Sequence, residues 1–405
     1  MSSNFSLEQF LPAVTGRSQS LFSADLEQHR AELSEQIAGA SVLAVGGAGT
    51  IGASFVKALL AYKPRKVVVI DGSENGLAEQ IRDLRSTHGI TVPDDFITYP
   101  VSYADPVADK IIAHHGPFDI VANFAAHKHV RSEKDIFSVE TMLDNNVFRA
   151  NRFMQAIVRQ KPKRIFAVST DKAANPVNIM GASKKLMEDM LLAYAKESPV
   201  TTARFANVAF SNGSLLQAFL ERLAKGQPLS APNDVRRYFV TPQESGQICM
   251  MACLLGKPGE IFFPILSETA HARRFSDIAV SLLETLKLVP VVCQSEEEAR
   301  ERAASRQAGD KSYPVFFFGS DTTGEKPIEE FYAQEESIIT DRFQALGVVL
   351  AENGDQQRHV LPFLEELEAM FKSQAINKAE VVDALTRYFG KFGHLETGKT
   401  IDARM

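Results

Sequence analysis

Between residues 41 and 62 the chain runs from a short apolar stretch, Ser41–Val45, through Gly46-Gly47-Ala48-Gly49-Thr50-Ile51-Gly52 into a helix-like segment, Thr50–Tyr62. The glycines satisfy two spacings at once, Gly46-x-x-Gly49-x-x-Gly52 and Gly47-x-Gly49-x-x-Gly52. Glycine is needed where a chain turns sharply, where backbone must approach a pyrophosphate, and where a helix packs closely on a strand. The start of the helix adds free N–H groups and the positive end of its dipole. Asp71 follows Gly52 by 19 residues and ends a second, valine-rich run, Lys66–Asp71. An acidic residue there takes the hydroxyls of an adenine ribose. The pattern predicts a dinucleotide held by Gly46, Gly49, Thr50, Ile51, Gly52, Asp71 and Ser73. Asp71 repels a 2′-phosphate, and neither Gly72 nor Ser73 brings a cation, so NAD is favoured over NADP.

Further apolar runs at Phe96–Tyr99, Phe118–Phe124, Arg164–Val168 and Thr201–Phe205 alternate with helical segments near 106–115, 137–159 and 180–197. Unbroken apolar strands between helices predict a parallel sheet covered on both faces. The expected fold is therefore α/β: a Rossmann-type, doubly wound parallel sheet, a smaller C-terminal substrate lobe, and helical extensions at both termini. The expected divisions are 1–40 (helical extension), 41–206 (NAD-binding domain), 207–335 (substrate lobe, with a strand or helix able to return to the first sheet) and 336–405 (helical extension). From about residue 326 the tail reads as helix, in EEFYAQEESIITDRFQAL and again in VLPFLEELEAMFKSQ. Segment 294–312 is charged and poor in apolar residues, and reads as a solvated helix or excursion.

Composition narrows the function. With 44 basic and 50 acidic residues, net charge −6 gives no reason to expect nucleic acid or an anionic membrane. No stretch approaches the ~20 apolar residues of a membrane span. The N-terminus lacks the basic start and apolar run of a signal peptide, and the three cysteines cannot build a disulfide framework. A soluble protein of the cytoplasm is expected. Cys249 and Cys253 share a helix face, but no further ligands lie at suitable spacing, so no metal is expected. The stripe Phe137, Met142, Val147, Phe153, Met154, Ile157 reads as core or as a surface between paired helices.

The fifth run ends in Ser169-Thr170-Asp171-Lys172, and Met180-Gly181-Ala182-Ser183-Lys184 opens the next helix. Ligands of open parallel sheets sit beyond the carboxyl ends of the strands, so Thr170, Asp171 and Lys172 stand where chemistry is expected. An Asp beside a Lys is equally compatible with a plain surface ion pair.

Together these pieces resemble the extended short-chain dehydrogenases/reductases, and most of all the nucleotide-sugar 4,6-dehydratases of polysaccharide biosynthesis. The resemblance covers roughly residues 15–335: GGAGTIG (46–52), NFAAHKHV (123–130), Asn145-Asn146-Val147, STDKAANPVNIMGASKK (169–185), RFANVAFSNGS (204–214), RRYFVTPQES (236–245) and TTGEKPIEEF (322–331). STDKAANP is the most specific, and implies a UDP-hexose substrate, UDP-N-acetylglucosamine first. Most of the superfamily has Tyr-x-x-x-Lys. Here Met180 holds the tyrosine position and Lys184 is kept. Methionine there resembles the branch that retains configuration at C5. His127 and Arg131 also depart from the usual pattern around Lys128.

The resemblance implies removal of water between C4 and C6, with hydride leaving C4 for NAD and returning to C6. Asp171 is implied as the acid for the C6 hydroxyl, and Lys172 as the C5 base. The base must be neutral, a state that burial or a neighbouring cation such as Lys184 would favour. Thr170 is implied at the C4 hydroxyl, Lys184 at the nicotinamide ribose, and Ala125, Ala126 and Asn146 beside the cofactor. Lys128, Asn207, Ser214, Arg237 and Glu325 are implied at the substrate. Family helices at residues 137–159 often pair, so a homo-oligomer is expected. The competing readings are a C5-inverting dehydratase, a 4-epimerase and a non-catalytic NAD-binding sensor.

Overall fold

The computed structural model describes residues 7–128, 133–320, 326, 328–350, 355–372, 376–390 and 392–394. Arg131 and Glu325 lie outside the described residues. The strands, in chain order, are β1 Ser41–Val45, β2 Lys66–Asp71, β3 Asp95–Pro100, β4 Ile120–Asn123, β5 Arg164–Val168, β6 Val200–Ala203, β7 Asn207–Val208, β8 Leu229–Pro232, β9 Arg236–Val240, β10 Glu260–Pro264, β11 Ala272–Arg274, β12 Val289–Cys293, β13 Ser312–Phe318, β14 Ser337–Ile339 and β15 Leu346–Leu350.

Nine of them form one sheet, in the order β14-β15-β10-β6-β5-β4-β1-β2-β3. From β10 to β3 every pairing is parallel. The chain moves outward from β1 to β3, then returns to the other side of β1 at β4. That reversal is the switch point at which such sheets bind ligands. The inner strands β1, β4, β5 and β6 carry apolar side chains on both faces because helices cover both faces. Gly246 lets the helix Pro242–Leu255 approach the helix Thr50–Leu60, because a Cβ there would strike Ser54 O. Cys249 and Cys253 lie on that helix as fully buried side chains, and burial pushes the Cys253 thiol up to about 12, with Arg164 opposing.

The tail differs from the helix expected from residue 326. Ser337–Ile339 and Leu346–Leu350 are strands, the second antiparallel to β10 and the first antiparallel to the second, and they extend the main sheet. Leu346-Gly347-Val348-Val349 is β-branched and apolar, and pairing with β10 decides its state over local propensity. Gly347 leaves room for the Phe263 ring, which a Cβ would strike. Helices do follow, at Asp355–Phe371 and Lys378–Phe389. Their Leu364, Leu367, Val381 and Leu385 are buried with Met142, Val147, Phe153, Met154 and Ile157. The apolar stripe is therefore core beneath the chain's own tail, except Phe137, which is 75% exposed.

Two small sheets, β11-β9-β7 and β12-β13-β8, make the lobe. Phe10 and Val14 from the N-terminal lead-in share its core, whereas Phe22, Leu33 and Ile37 pack under the main sheet. The helix Glu296–Ala304 buries only Ala299, as a solvated helix would.

Candidate functional site

The glycine turn joins β1 to the helix Thr50–Leu60. Gly46 has φ 68°, and a Cβ there would stand 2.5 Å from Ala125 N. A Cβ at Gly52 would strike Gly46 O, while one at Gly49 would make only an ordinary van der Waals contact, 3.5 Å from Gly46 O. The turn thus leaves a cradle of bare backbone at the helix N-terminus, the shape a pyrophosphate requires. Asp71 reaches back across it. Its Oδ2 accepts from Ala48 N at 3.0 Å and its Oδ1 from Ser73 N at 2.8 Å. Ser73 also caps the next helix, accepting from Gly76 N. Thr50 Oγ1 accepts from Asn212 N, tying the turn to the lobe. Ile51 packs against the core below.

Beyond β4, Ala125 and Ala126 line the same edge, half-buried. Asn146 is 1% exposed and pins this loop. Its Oδ1 accepts from His127 N (2.7 Å), and its Nδ2 donates to His127 O (2.9 Å) and Ser183 Oγ (3.1 Å). It sits in a π-helical turn, Asp144–Phe148, that interrupts the run from Ile136 to Val158. Such bulges are rare and mark functional sites. Here the bulge aims an amide inward at the loop, so Asn146 acts on the site by holding backbone in place.

The tip of β5 carries the charged group. Val45 pairs with Asn123 and Asn123 with Ala167, so the glycine turn and Thr170 open on one edge. Two strand spacings, about 10 Å, separate them. Thr170 Oγ1 donates to Asp171 Oδ1 at 2.8 Å, and Lys172 Nζ donates to the same oxygen at 3.1 Å. Asp171 is 4% exposed, so the pair is not a surface ion pair. Lys184 Nζ donates to Val168 O at 2.8 Å, and burial lowers its pKa to about 8 against a weaker pull from Glu188. Met180 is buried, and its N–H donates to Glu133 Oε1.

Lys172 departs from expectation. Burial pushes its pKa down, but the charges of Asp171 and Glu329 outweigh burial and the opposing Arg237, so its pKa is raised. The charges that weigh most on it are Asp171, Glu329 and Arg237, not Lys184. Glu329 was not singled out in the sequence, although it lies in the matched stretch TTGEKPIEEF. Its Oε1 stands 3.6 Å from Lys172 Nζ and 3.9 Å from Arg237 Nη2. Arg237 is 5% exposed and donates to the carbonyls of Arg236 and Lys326. Ser214 caps the helix Leu215–Ala224, and Asn207 is half-buried at the start of β7. Lys128 is solvent-exposed beyond β4, where protein crowding lowers its pKa; no charged group among the described residues offsets it.

A second buried cluster lies behind the tip. Glu188 Oε1 accepts from Ser169 Oγ (2.6 Å) and Arg204 Nε (2.9 Å), and its Oε2 accepts from Arg204 Nη2 (2.8 Å). Arg204 also donates to both oxygens of Glu336, at 2.6 and 2.7 Å, and to Phe331 O.

The fold is that of an extended short-chain dehydrogenase/reductase, with the buried charged group at the strand edge where such sheets bind ligands. The chain belongs to the polysaccharide biosynthesis protein family, whose sequence pattern matches residues 42–342. It is 26% identical over 334 residues to the probable polysaccharide biosynthesis protein EpsC of Bacillus subtilis, which covers 78% of this chain but only 54% of that protein. It is 25% identical over 347 residues to a UDP-N-acetylglucosamine 4,6-dehydratase (inverting) of Campylobacter jejuni, covering 82% of this chain and 95% of that one. The solved structure of Pen from Bacillus thuringiensis is similar in fold, with TM-score 0.63 and 22% identity over 78% of this chain and 89% of that one. Among the described residues no helix is long and apolar enough to cross a membrane.

Proposed function

We propose that the protein removes water from the hexose of a UDP-sugar, UDP-N-acetylglucosamine first, by an NAD-dependent 4,6-dehydration that keeps the configuration at C5. The observation that carries this reading is the enclosed Asp171–Lys172 pair on the edge where the glycine turn also opens. The reaction named for the Campylobacter relative supports the substrate and the bond broken. The bare-backbone cradle at Gly46, Gly49 and Gly52 fits a dinucleotide pyrophosphate, and Asp71 fits NAD better than NADP. When bound, the nicotinamide accepts and returns one hydride, so the sugar undergoes no net oxidation.

The chain's residues then divide the proton work. The ion pair becomes acid and base together when one proton passes from Lys172 Nζ to Asp171 across 3.1 Å. Lys172, now an amine, removes the C5 proton. Asp171, now an acid, protonates the C6 hydroxyl, which leaves as water. A positioned acid of this kind contributes ~10²–10⁴-fold. Thr170 holds the C4 hydroxyl and passes its proton to solvent as C4 becomes a ketone; Lys172 later gives its proton back to C5, and the pair regains one proton from solvent. Lys184 holds the cofactor ribose, and Arg237, Asn207, Ser214 and Lys128 the nucleotide diphosphate end. Met180 supplies no proton, and methionine at that position resembles the branch that retains configuration, which favours retention at C5.

The relative's name favours a second reading, inversion at C5. Incubation with UDP-N-acetylglucosamine in deuterated buffer separates the two. Mass spectrometry reads the loss of water and the deuterium gained at C5, and proton NMR couplings give its configuration. Asp171→Asn and Lys172→Ala should each lose at least about a hundredfold in turnover. Near-normal turnover in either variant, or no product from a panel of UDP-hexoses, overturns the reading.

A further inference from the structure

Two buried ionic clusters lie within a few residues of each other, and they differ in closeness. Arg204 and Glu188 meet through two bonds, at 2.8 and 2.9 Å, with both side chains fully buried. That is the length and fork geometry of a fixed structural pair. Glu329 is just as enclosed, at 5% exposure, yet it stands 3.6 Å from Lys172 and 3.9 Å from Arg237. A buried carboxylate held loosely between two cations is poorly designed as a structural clamp. It is well placed to act on their charge.

Resting on Lys172 as the base of the proposed reaction, we propose that Glu329 is a positioning residue for the Asp171–Lys172 pair. Its charge sets the pH range in which the pair holds the single proton that makes one member acid and the other base. The groups that bear on Glu329 are Lys172, Asp171, Arg237 and Lys326. Those that bear on Lys172 are Asp171, Glu329 and Arg237. One negative charge facing both members of the pair makes each harder to deprotonate. Burial in turn pushes the Glu329 pKa up, with Asp171 adding to the rise and Lys172, Arg237 and Lys326 opposing it.

A pair that must share one proton works between two limits. With too much acid both members are protonated, and with too little neither is, so turnover is bell-shaped in pH. Removing the Glu329 charge lowers both apparent pKa values and moves the whole bell toward acid. An opposite charge within this range moves a pKa by about one unit or more. A merely structural Glu329 would lower the bell's height and leave its position alone.

The test is Glu329→Gln beside Glu329→Asp, with a thermal melt to establish that each folds. In the kcat–pH profile, Glu329→Gln should move both limbs toward acid by about one unit, and Glu329→Asp should restore most of the wild-type position. A second readout needs no turnover. The pH dependence of Lys172 acylation by acetic anhydride, followed by peptide mass spectrometry, gives the lysine's midpoint directly. That midpoint should fall in Glu329→Gln. An unmoved midpoint overturns the role of Glu329 whatever the enzyme makes. A moved midpoint in a protein that dehydrates no UDP-sugar upholds the charge coupling and sinks the proposed function instead.

Discussion

Replacing Glu188 by Gln tests whether the cluster behind β5 holds the catalytic tip in place. Both Glu188 and Arg204 are 0% exposed, and the carboxylate accepts three hydrogen bonds, two from the guanidinium and one from Ser169. Breaking a buried ion pair by removing one partner costs about 3–5 kcal/mol, because a charge is left desolvated. Here Glu336 still takes two bonds from Arg204, so the expected loss lies at the lower end, about 3 kcal/mol. The pH dependence has a definite sign. Burial raises the Glu188 pKa, but Arg204, Lys185 and Ser169 together outweigh it and leave the pKa lowered. Stability from such a group is present above the ordinary carboxylate pKa of about 4 and is lost as pH falls through the depressed value. Thermal melts at pH 5 to 8 should therefore show a constant deficit for Glu188→Gln. Because apolar replacement of a whole buried ionic cluster is often neutral, Glu188→Leu with Arg204→Met and Glu336→Leu should recover most of the loss. A single variant that melts within a degree of wild type, or a triple variant no better than the single, refutes the reasoning.

Two other outcomes follow from burial. Lys184 is held with its pKa at about 8, so the folded protein must keep an ammonium buried at pH 7, and the strain fades only as pH climbs from 8 toward 10.5. Lys184→Met should raise the melting temperature at pH 7 by the equivalent of about 2 kcal/mol, the pKa effect less one lost hydrogen bond, while dinucleotide binding weakens; a lower melting temperature contradicts it. Leu364 is 2% exposed in the tail helix and belongs to the buried cluster that also holds Met154 and Ile157. Leu364→Ala should cost about 2–5 kcal/mol in chemical denaturation, and a cost below 1 would mean that the tail does not seal that core.

Much of this was legible in the chain because its signals are local. The glycine turn, Asp71 and the strands β1 to β6 depend on residues close in sequence, as do Thr170, Asp171 and Lys172, which need only a strand end to be placed. Glu329 was not legible, because nothing in its own segment distinguishes it from Glu330. Glu330 meets Asn175 at 2.8 Å, and only the fold shows which neighbour turns in to Lys172. Ser337–Leu350 misled for a related reason. Its spacing suits a helix, but Leu346–Leu350 takes its strand state from β10, a partner supplied by a distant part of the chain, and Ser337–Ile339 then pairs with Leu346–Leu350. The direction of the Lys172 shift was legible in part: Asp171, the larger of the two charges that raise it, is its neighbour in sequence, whereas Glu329 is brought to it only by the fold.

The same contacts show why the site needs the return of the chain to the main sheet. Between residues 326 and 336, Lys326 O accepts from Arg237, Glu329 stands by Lys172, Glu330 accepts from Asn175, Phe331 O accepts from Arg204, and Glu336 closes on Arg204. That stretch is anchored immediately downstream by β14, which pairs with β15, and β15 pairs onto β10. The glycine turn depends on none of these contacts; its framework is β1, β2 and β4. Dinucleotide binding and proton chemistry are thus built by different lengths of chain. A disturbance in β15, such as a side chain at Gly347 driven into the Phe263 ring, would reach the acid–base pair through Glu329 and Glu336 while leaving the cradle at Gly46 intact.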